Sequence, residues 1–308
     1  MHNFVHKVNE DVELLFTLFD GEKMKPITES YLIKWNRLDI DPYFKKLRAL
    51  FTDLSSMDLH RKKVYLVAYV IRNGAMDGRE MESRRLSTVT SVLNASKRNS
   101  SHSSNSTDSP MRRPFGVAAI DLTPLINKPE DFKNDTQLSM PFLPCDKDTL
   151  DGTLQKIFKA KDQINKEGSN IWISVELLHG DLKQLKEEYP HLILSNMAHA
   201  RKLGFPEVIF PGDVRNDLYV TLLNGEFSKS TGKTCDKNIE VSVCVCNEQG
   251  EMVKDVITQG GGAMMTNEYH SVIYYHDDKP MWNETFKINV PIEEFIKCHL
   301  KFTFKHRS

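Results

Sequence analysis

Between positions 204 and 212 the chain carries Gly204, Pro206, Pro211 and Gly212. Neither a helix interior nor a central strand can hold such a cluster. A β-type run at 218–223, LYVTLL, follows at once and stops at Asn224-Gly225. Punctuation of this kind marks the entry into a new, strand-built domain. With 308 residues the length suits two domains. The division expected is a β-rich unit over 1–180, a helical connector over 181–212 and a second β unit over 213–308.

The first unit reads as strands at regular spacing. Apolar runs at 12–19, 30–35, 47–52, 63–71, 115–120 and 171–178 are separated by turn residues such as Asp20-Gly21. Several short strands with turns between them argue for a sandwich. One stretch interrupts them. Residues 83–110 hold ten serines and three threonines with no aromatic residue, too little apolar surface to offset chain entropy. A disordered insertion is expected there, cut first by proteases at sites such as Arg98 and Arg112. From 148 to 168 the period changes, with Leu150, Leu154, Ile157 and Ile164 at helical spacing and Gly168 as a stop. This predicts one amphipathic helix laid on the sandwich. Leu182, Leu185 and Tyr189, stopped by Pro190, make a shorter helical stripe.

The second unit alternates cleanly. Ile239, Val241, Val243 and Val245 share one face, Phe286, Ile288 and Val290 another, and Leu300, Phe302 and Phe304 a third. A further strand is expected at 270–275. The glycines 260–262 read as a flexible loop and not a phosphate cradle, because no GK[ST] follows. The chain stops at the lip of its last strand, so this second sandwich is expected to be incomplete. The fold class is therefore mostly β: two β-sandwich domains, the second cut short, with one amphipathic helix and a disordered serine-rich insertion.

Composition removes several function classes. A net charge of −1 exerts no global pull on nucleic acid or anionic lipid, so either partner would have to be met by a local patch. No apolar stretch approaches the ~18–20 residues of a membrane helix, and no signal-peptide core opens the chain. The five cysteines are scattered, and Cys244 and Cys246 lack a second pair to complete a metal site. Free buried thiols in a reducing, cytoplasmic setting are expected. There is no nucleophile elbow, HExxH, Walker loop or dinucleotide fingerprint. No catalytic residue, cofactor or metal is assigned.

The run KPMWNETF at 279–286, placed before an alternating strand, resembles the motif of C2 domains. Calcium-binding members crowd carboxylates at one tip, since Ca²⁺ takes six to eight oxygen ligands. Here the end of the last strand reads Lys305-His306-Arg307, and the loop 228–237 offers Lys229, Lys233 and Lys237 against one aspartate. Such a tip suits phosphates, which lysine ammoniums bind as point charges. A solvated loop is the plain alternative, for residues 213–308 carry 11 Lys and Arg against 14 Asp and Glu.

Longer runs are more specific. RKLGFPEVIFPGDVRNDLY at 201–219, YHSVIYY at 269–275 and HLKFTFKHRS at 299–308 resemble the DOCK family of guanine-nucleotide exchange factors, its Dock180 branch in particular. LFTDLS at 50–55, RRPFGVA at 112–118 and YPHL at 189–192 extend the likeness upstream. The resemblance implies a C2 domain that binds phosphatidylinositol trisphosphate and recruits a cytoplasmic protein to the plasma membrane. It makes Lys229, Lys233, Lys237, Lys305 and Arg307 the candidate lipid site. It also implies nucleotide exchange on Rac and contact with an ELMO-type adaptor through parts of the parent not in this chain, in cytoskeletal and migratory signalling. A protein-interaction scaffold without lipid binding is the competing reading, and nucleic acid is not an expected partner.

Overall fold

A computed structural model describes residues 3–4, 10–35, 47–74, 111–129, 136–145, 149–160, 170–190, 197–204, 212, 215–227 and 237–307. The mostly β class is what it shows. The chain opens with strands β1 (Asn3–Phe4), β2 (Asp11–Asp20), β3 (Lys25–Pro26), β4 (Tyr31–Trp35) and β5 (Ala49–Thr52), then helix α1 (Ser56–Leu59). Next come β6 (Val64–Gly74), β7 (Met111–Asp121), α2 (Thr123–Asn127), β8 (Leu138–Pro144), α3 (Leu150–Lys159) and β9 (Asn170–Ile173). The connector holds α4 (Leu182–Glu188) and β10 (Ala198–Arg201). The last part is β11 (Leu218–Asn224), β12 (Ile239–Cys246), β13 (Ile257–Thr258), β14 (Glu268–His270), β15 (Met281–Ile288), α5 (Ile292–Phe295) and β16 (His299–His306).

The first region is one eight-stranded sheet in the order β1-β9-β8-β7-β6-β2-β3, with β4 also on β2. Its long strands are apolar on both faces, and both are buried. Leu14, Phe16 and Leu18 of β2 point with Leu66, Ala68 and Val70 of β6 into one core. Phe19, Val67, Ile71, Val117 and Ala119 point the other way. A bulge between Val70 and Ile71 corrects the register of β7, so that Arg112 lies opposite Asn73. The second region packs two three-stranded sheets, β11-β15-β13 and β14-β12-β16.

Helix α3 shows why the odd face of the first sheet is covered. Thr149 caps it by accepting from Gly152 N, and Leu150, Leu154 and Ile157 turn one apolar stripe inward. That stripe, the odd face of the sheet and the inner residues of the second region, from Val241 to Val290, form a single buried cluster. The helical residues expected beyond 160 lie outside the described ones, as does the insertion at 83–110. The strand expected at 270–275 is displaced: β14 ends at His270, and residues 271–274 follow as buried extended chain.

Three further contacts bind the two regions. The first is Arg112, whose guanidinium donates to Glu13 of β2 at 2.9 Å, to Glu284 of β15 at 3.0 Å and to the carbonyl of His270. Asn73 donates to the other oxygen of Glu13 at 3.0 Å, Tyr269 O–H to Glu284, and Val272 N to Glu284 at 2.8 Å. Burial alone would raise the Glu13 carboxyl, yet Arg112 and Asn73 hold it below the usual range. Burial likewise opposes the charge on Arg112, while Glu13 and Glu284 raise its affinity for the proton. The expectation that Arg112 is an accessible cleavage site fails, because it is 7% exposed within β7. Arg98 lies outside the described residues.

The second contact is the glycine run. Gly261 donates to Ser30 O at 2.8 Å and accepts from Leu32 N at 2.9 Å. A Cβ on Gly260, whose φ is +149°, would stand 1.9 Å from Ser30 O, and one on Gly261 would stand 2.4 Å from His199 O. These glycines let backbone meet backbone. The expected flexible loop is a docked one.

The third is the connector. Arg201 donates to Asp53 at 2.8 Å and to Asp217 at 3.3 Å, Arg215 to Asp217 and to the carbonyl of Lys202, and Lys287 of β15 reaches Asp217 at 2.6 Å. Lys202 meets the buried Asp58 at 2.5 Å. The charges of the run at 201–219 therefore clamp the parallel pair β5–β10 to the second region.

Removing Arg112 leaves two buried carboxylates without their cation. Arg112→Met is therefore expected to cost about 3–5 kcal/mol of unfolding free energy in urea titrations. Adding Glu13→Gln and Glu284→Gln should recover part of that loss. A cost below about 1 kcal/mol for Arg112→Met alone would show the network to be dispensable.

Candidate functional site: the tip of the second sandwich

Asn238 gathers three segments at one end of β12 and β16. It is 8% exposed with φ +54°, a left-handed conformation that asparagine tolerates better than most residues. Its side-chain oxygen accepts from His276 N at 2.7 Å, and its amide donates to Arg307 O at 3.1 Å. Its own carbonyl accepts from Arg307 N at 3.0 Å. The ring of His306 also bonds the carbonyl of Lys237. A second tie fixes the neighbouring loop, since Phe227 N donates to Asp278 O at 2.9 Å and Gly225 N to Pro280 O at 3.1 Å.

Trp282 braces this end from inside. It is 3% exposed, donates from Nε1 to Val272 O at 2.8 Å, and meets Phe227 edge-on at 6.3 Å. Phe227 in turn stacks obliquely on Phe304 at 5.7 Å.

The candidate lysines fall as follows. Lys237 and Lys305 are exposed, and neither makes an ion pair among the described residues. The register Glu240↔Lys305 and Ile239↔His306 brings them to the same end of the sheet. Lys229 and Lys233 lie outside the described residues. Arg307 is engaged elsewhere: its Nε and Nη2 hold one oxygen of Glu240 at 2.8 and 2.6 Å. His270 approaches the other oxygen at 3.5 Å. Burial alone would raise Glu240, but His270 and Arg307 keep its carboxyl below the usual range.

Among the described residues no group of three or more His, Cys, Asp or Glu side chains is placed to hold a metal ion. Cys244 and Cys246 are free thiols with sulfurs 3.8 Å apart on the buried strand β12, and burial pushes the Cys244 thiol up. The arrangement offers ammonium groups at a rigid, solvent-facing rim. No helix among the described residues is long and apolar enough to cross a membrane.

Asn238 and the glycine run were missed as organisers in the sequence. The signal for Asn238 was faint: a single asparagine just before a strand, after a lysine.

Among the described residues the rim carries no carboxylate set of the kind Ca²⁺ needs. Millimolar Ca²⁺ is expected to leave the melting temperature unchanged. A stabilisation saturating at micromolar Ca²⁺ would contradict this placement of the tip.

Comparison with known proteins accounts for nearly the whole chain. The family described as "DOCK N-terminus" matches residues 1–206, and "C2 domain in Dock180 and Zizimin proteins" matches residues 211–308. The chain is 34% identical over 308 residues to dedicator of cytokinesis protein 3 of Homo sapiens, covering 98% of this chain and 14% of that protein. Dedicator of cytokinesis protein 4 of Homo sapiens is 32% identical over 306 residues, with the same coverage. The chain thus spans about 14% of the length of these relatives. A run of matches this long, over an N-terminal region joined to a C2 domain, means that the chain belongs to the DOCK, or dedicator of cytokinesis, family.

Proposed function

We propose that this chain is the membrane-recruiting, phosphoinositide-binding part of a Rac guanine-nucleotide exchange factor. The observation that carries the reading is the convergence of exposed Lys237 and Lys305 on the Asn238 knot. Lys229 and Lys233 precede Lys237 by eight and four positions in the sequence. Phosphatidylinositol trisphosphate is the ligand proposed, and the plasma membrane the destination. In this reading exchange on Rac and contact with an ELMO-type adaptor fall to other parts of the parent protein. Arg307 contributes by holding Glu240 and ordering the rim.

The mechanism is electrostatic. Lysine ammoniums replace water around the inositol phosphates, each worth roughly 1 kcal/mol near an anionic surface. Three such charges shift partitioning on the order of a hundredfold.

A second reading, a protein-interaction scaffold, is favoured by one feature. Strand β16 forms an edge of its sheet among the described residues, and Phe302 and Phe304 on it are 42% and 55% exposed. Edges of this kind accept strands from other chains. Vesicle binding separates the two readings.

Replacing Lys229, Lys233 and Lys237 together by alanine is expected to leave stability within about 0.5 kcal/mol. The same change should weaken binding to trisphosphate-containing vesicles by about one to two decades. Added salt should weaken the unmutated chain more than the variant. Lys254→Glu, on the far hairpin, is the control and should do much less. Equal vesicle binding by the triple variant would remove the lysine loop from the lipid site.

A further inference from the structure

Tyr275 is the part of the tip that the lysines leave unexplained. It ends the run YHSVIYY, in which Tyr269, Val272, Ile273 and Tyr274 are all buried, yet its own side chain is 52% exposed. The ring is nevertheless held. The imidazole of His276 stacks on it at 4.1 Å and 10°, and the guanidinium of Arg113 lies 5.7 Å from its centroid. Arg113 comes from β7, in the first region, so both regions of the chain contribute to the tip. His276 has φ +57° and its N–H is fixed by Asn238 at 2.7 Å. A left-handed backbone at a non-glycine residue persists when its surroundings determine it. The turn therefore holds the Tyr275 ring at a set position, one residue before the backbone tie to Asn238, the residue that follows Lys237.

This combination has a physical reading. Tyrosine rings settle at the headgroup level of a bilayer, with the apolar body inward and the hydroxyl in the wet layer. Cations beside them meet the lipid phosphates. A ring already braced by His276 and Arg113 gives up little rotamer freedom on binding.

We infer that Tyr275 enters the headgroup layer of an anionic membrane when the tip docks, an inference that rests on the lipid reading above. Lysine contacts attract the surface, and the ring then adds apolar contact that salt does not screen.

The test uses the 308-residue chain carrying Tyr275→Trp. Phosphatidylcholine vesicles with and without phosphatidylinositol trisphosphate are prepared with brominated acyl chains. Emission of Trp35, Trp172 and Trp282 is subtracted with the unmutated chain. On trisphosphate vesicles the new indole should shift to the blue and be quenched by bromine. Tyr275→Ser should bind these vesicles about tenfold more weakly. That ratio should persist at high salt, unlike the effect of the lysine changes. Tyr275→Phe keeps the ring and should bind as the unmutated chain does. The indole readout does not depend on whether Tyr275→Ser folds. If the vesicles bind but the indole neither shifts nor is quenched, the inference falls and the lysine reading stands. If the unmutated chain binds no trisphosphate vesicle, both fall.

Discussion

A guanidinium buried between two carboxylates from different regions of the chain is the constraint on which the rest depends. Arg112 sits on β7 of the first sheet, Glu13 on the adjoining face of β2, and Glu284 on β15 of the C2 region. Each of the three would be costly to bury alone. Together, with Asn73, Tyr269 and the Val272 amide completing their hydrogen bonds, they are tolerated only in one relative placement of the two regions. Directional contacts of this kind specify geometry where apolar contact alone would allow sliding. The common apolar cluster around α3 supplies the bulk attraction, and the arginine fixes its register.

The consequence reaches the tip. Residue 112 accepts the Ile273 amide on its carbonyl at 2.9 Å, and the next residue, Arg113, lies against the Tyr275 ring. The chain from 271 to 276 is thereby held between β7 on one side and Asn238 on the other. A rim that presents exposed lysines in a fixed arrangement needs such support, because flexible loops lose more freedom on binding. The lipid reading proposed for the C2 region thus depends on the first region as a scaffold.

Much of this was legible beforehand, and the reasons are local. Strands β2 and β6 announce themselves as near-continuous apolar runs, β12 and β16 by period-two alternation, and α3 by its stripe of Leu150, Leu154 and Ile157 behind a capping threonine. Strand β8 was not legible, because the two prolines of LSMPFLP argue against a strand. Strand β10, AHAR, is too short and polar to register as one. Long-range pairings leave still less trace. A Glu13–Arg112 contact spans 99 residues, and nothing at either position marks the other. Glycines 260–262 look alike in a sequence whether they serve a free loop or, as here, a backbone contact with Ser30. At the candidate site the basic residue types were legible, while their engagement was not: Lys305 is open and Arg307 is tied to Glu240.

The claim that the two regions fold as one body is tested most directly by scanning calorimetry of the unmutated chain. A shared core and a buried ionic bridge predict a single transition, with calorimetric and van't Hoff enthalpies in agreement. Two resolved transitions, one persisting after the C2 region has melted, would contradict it.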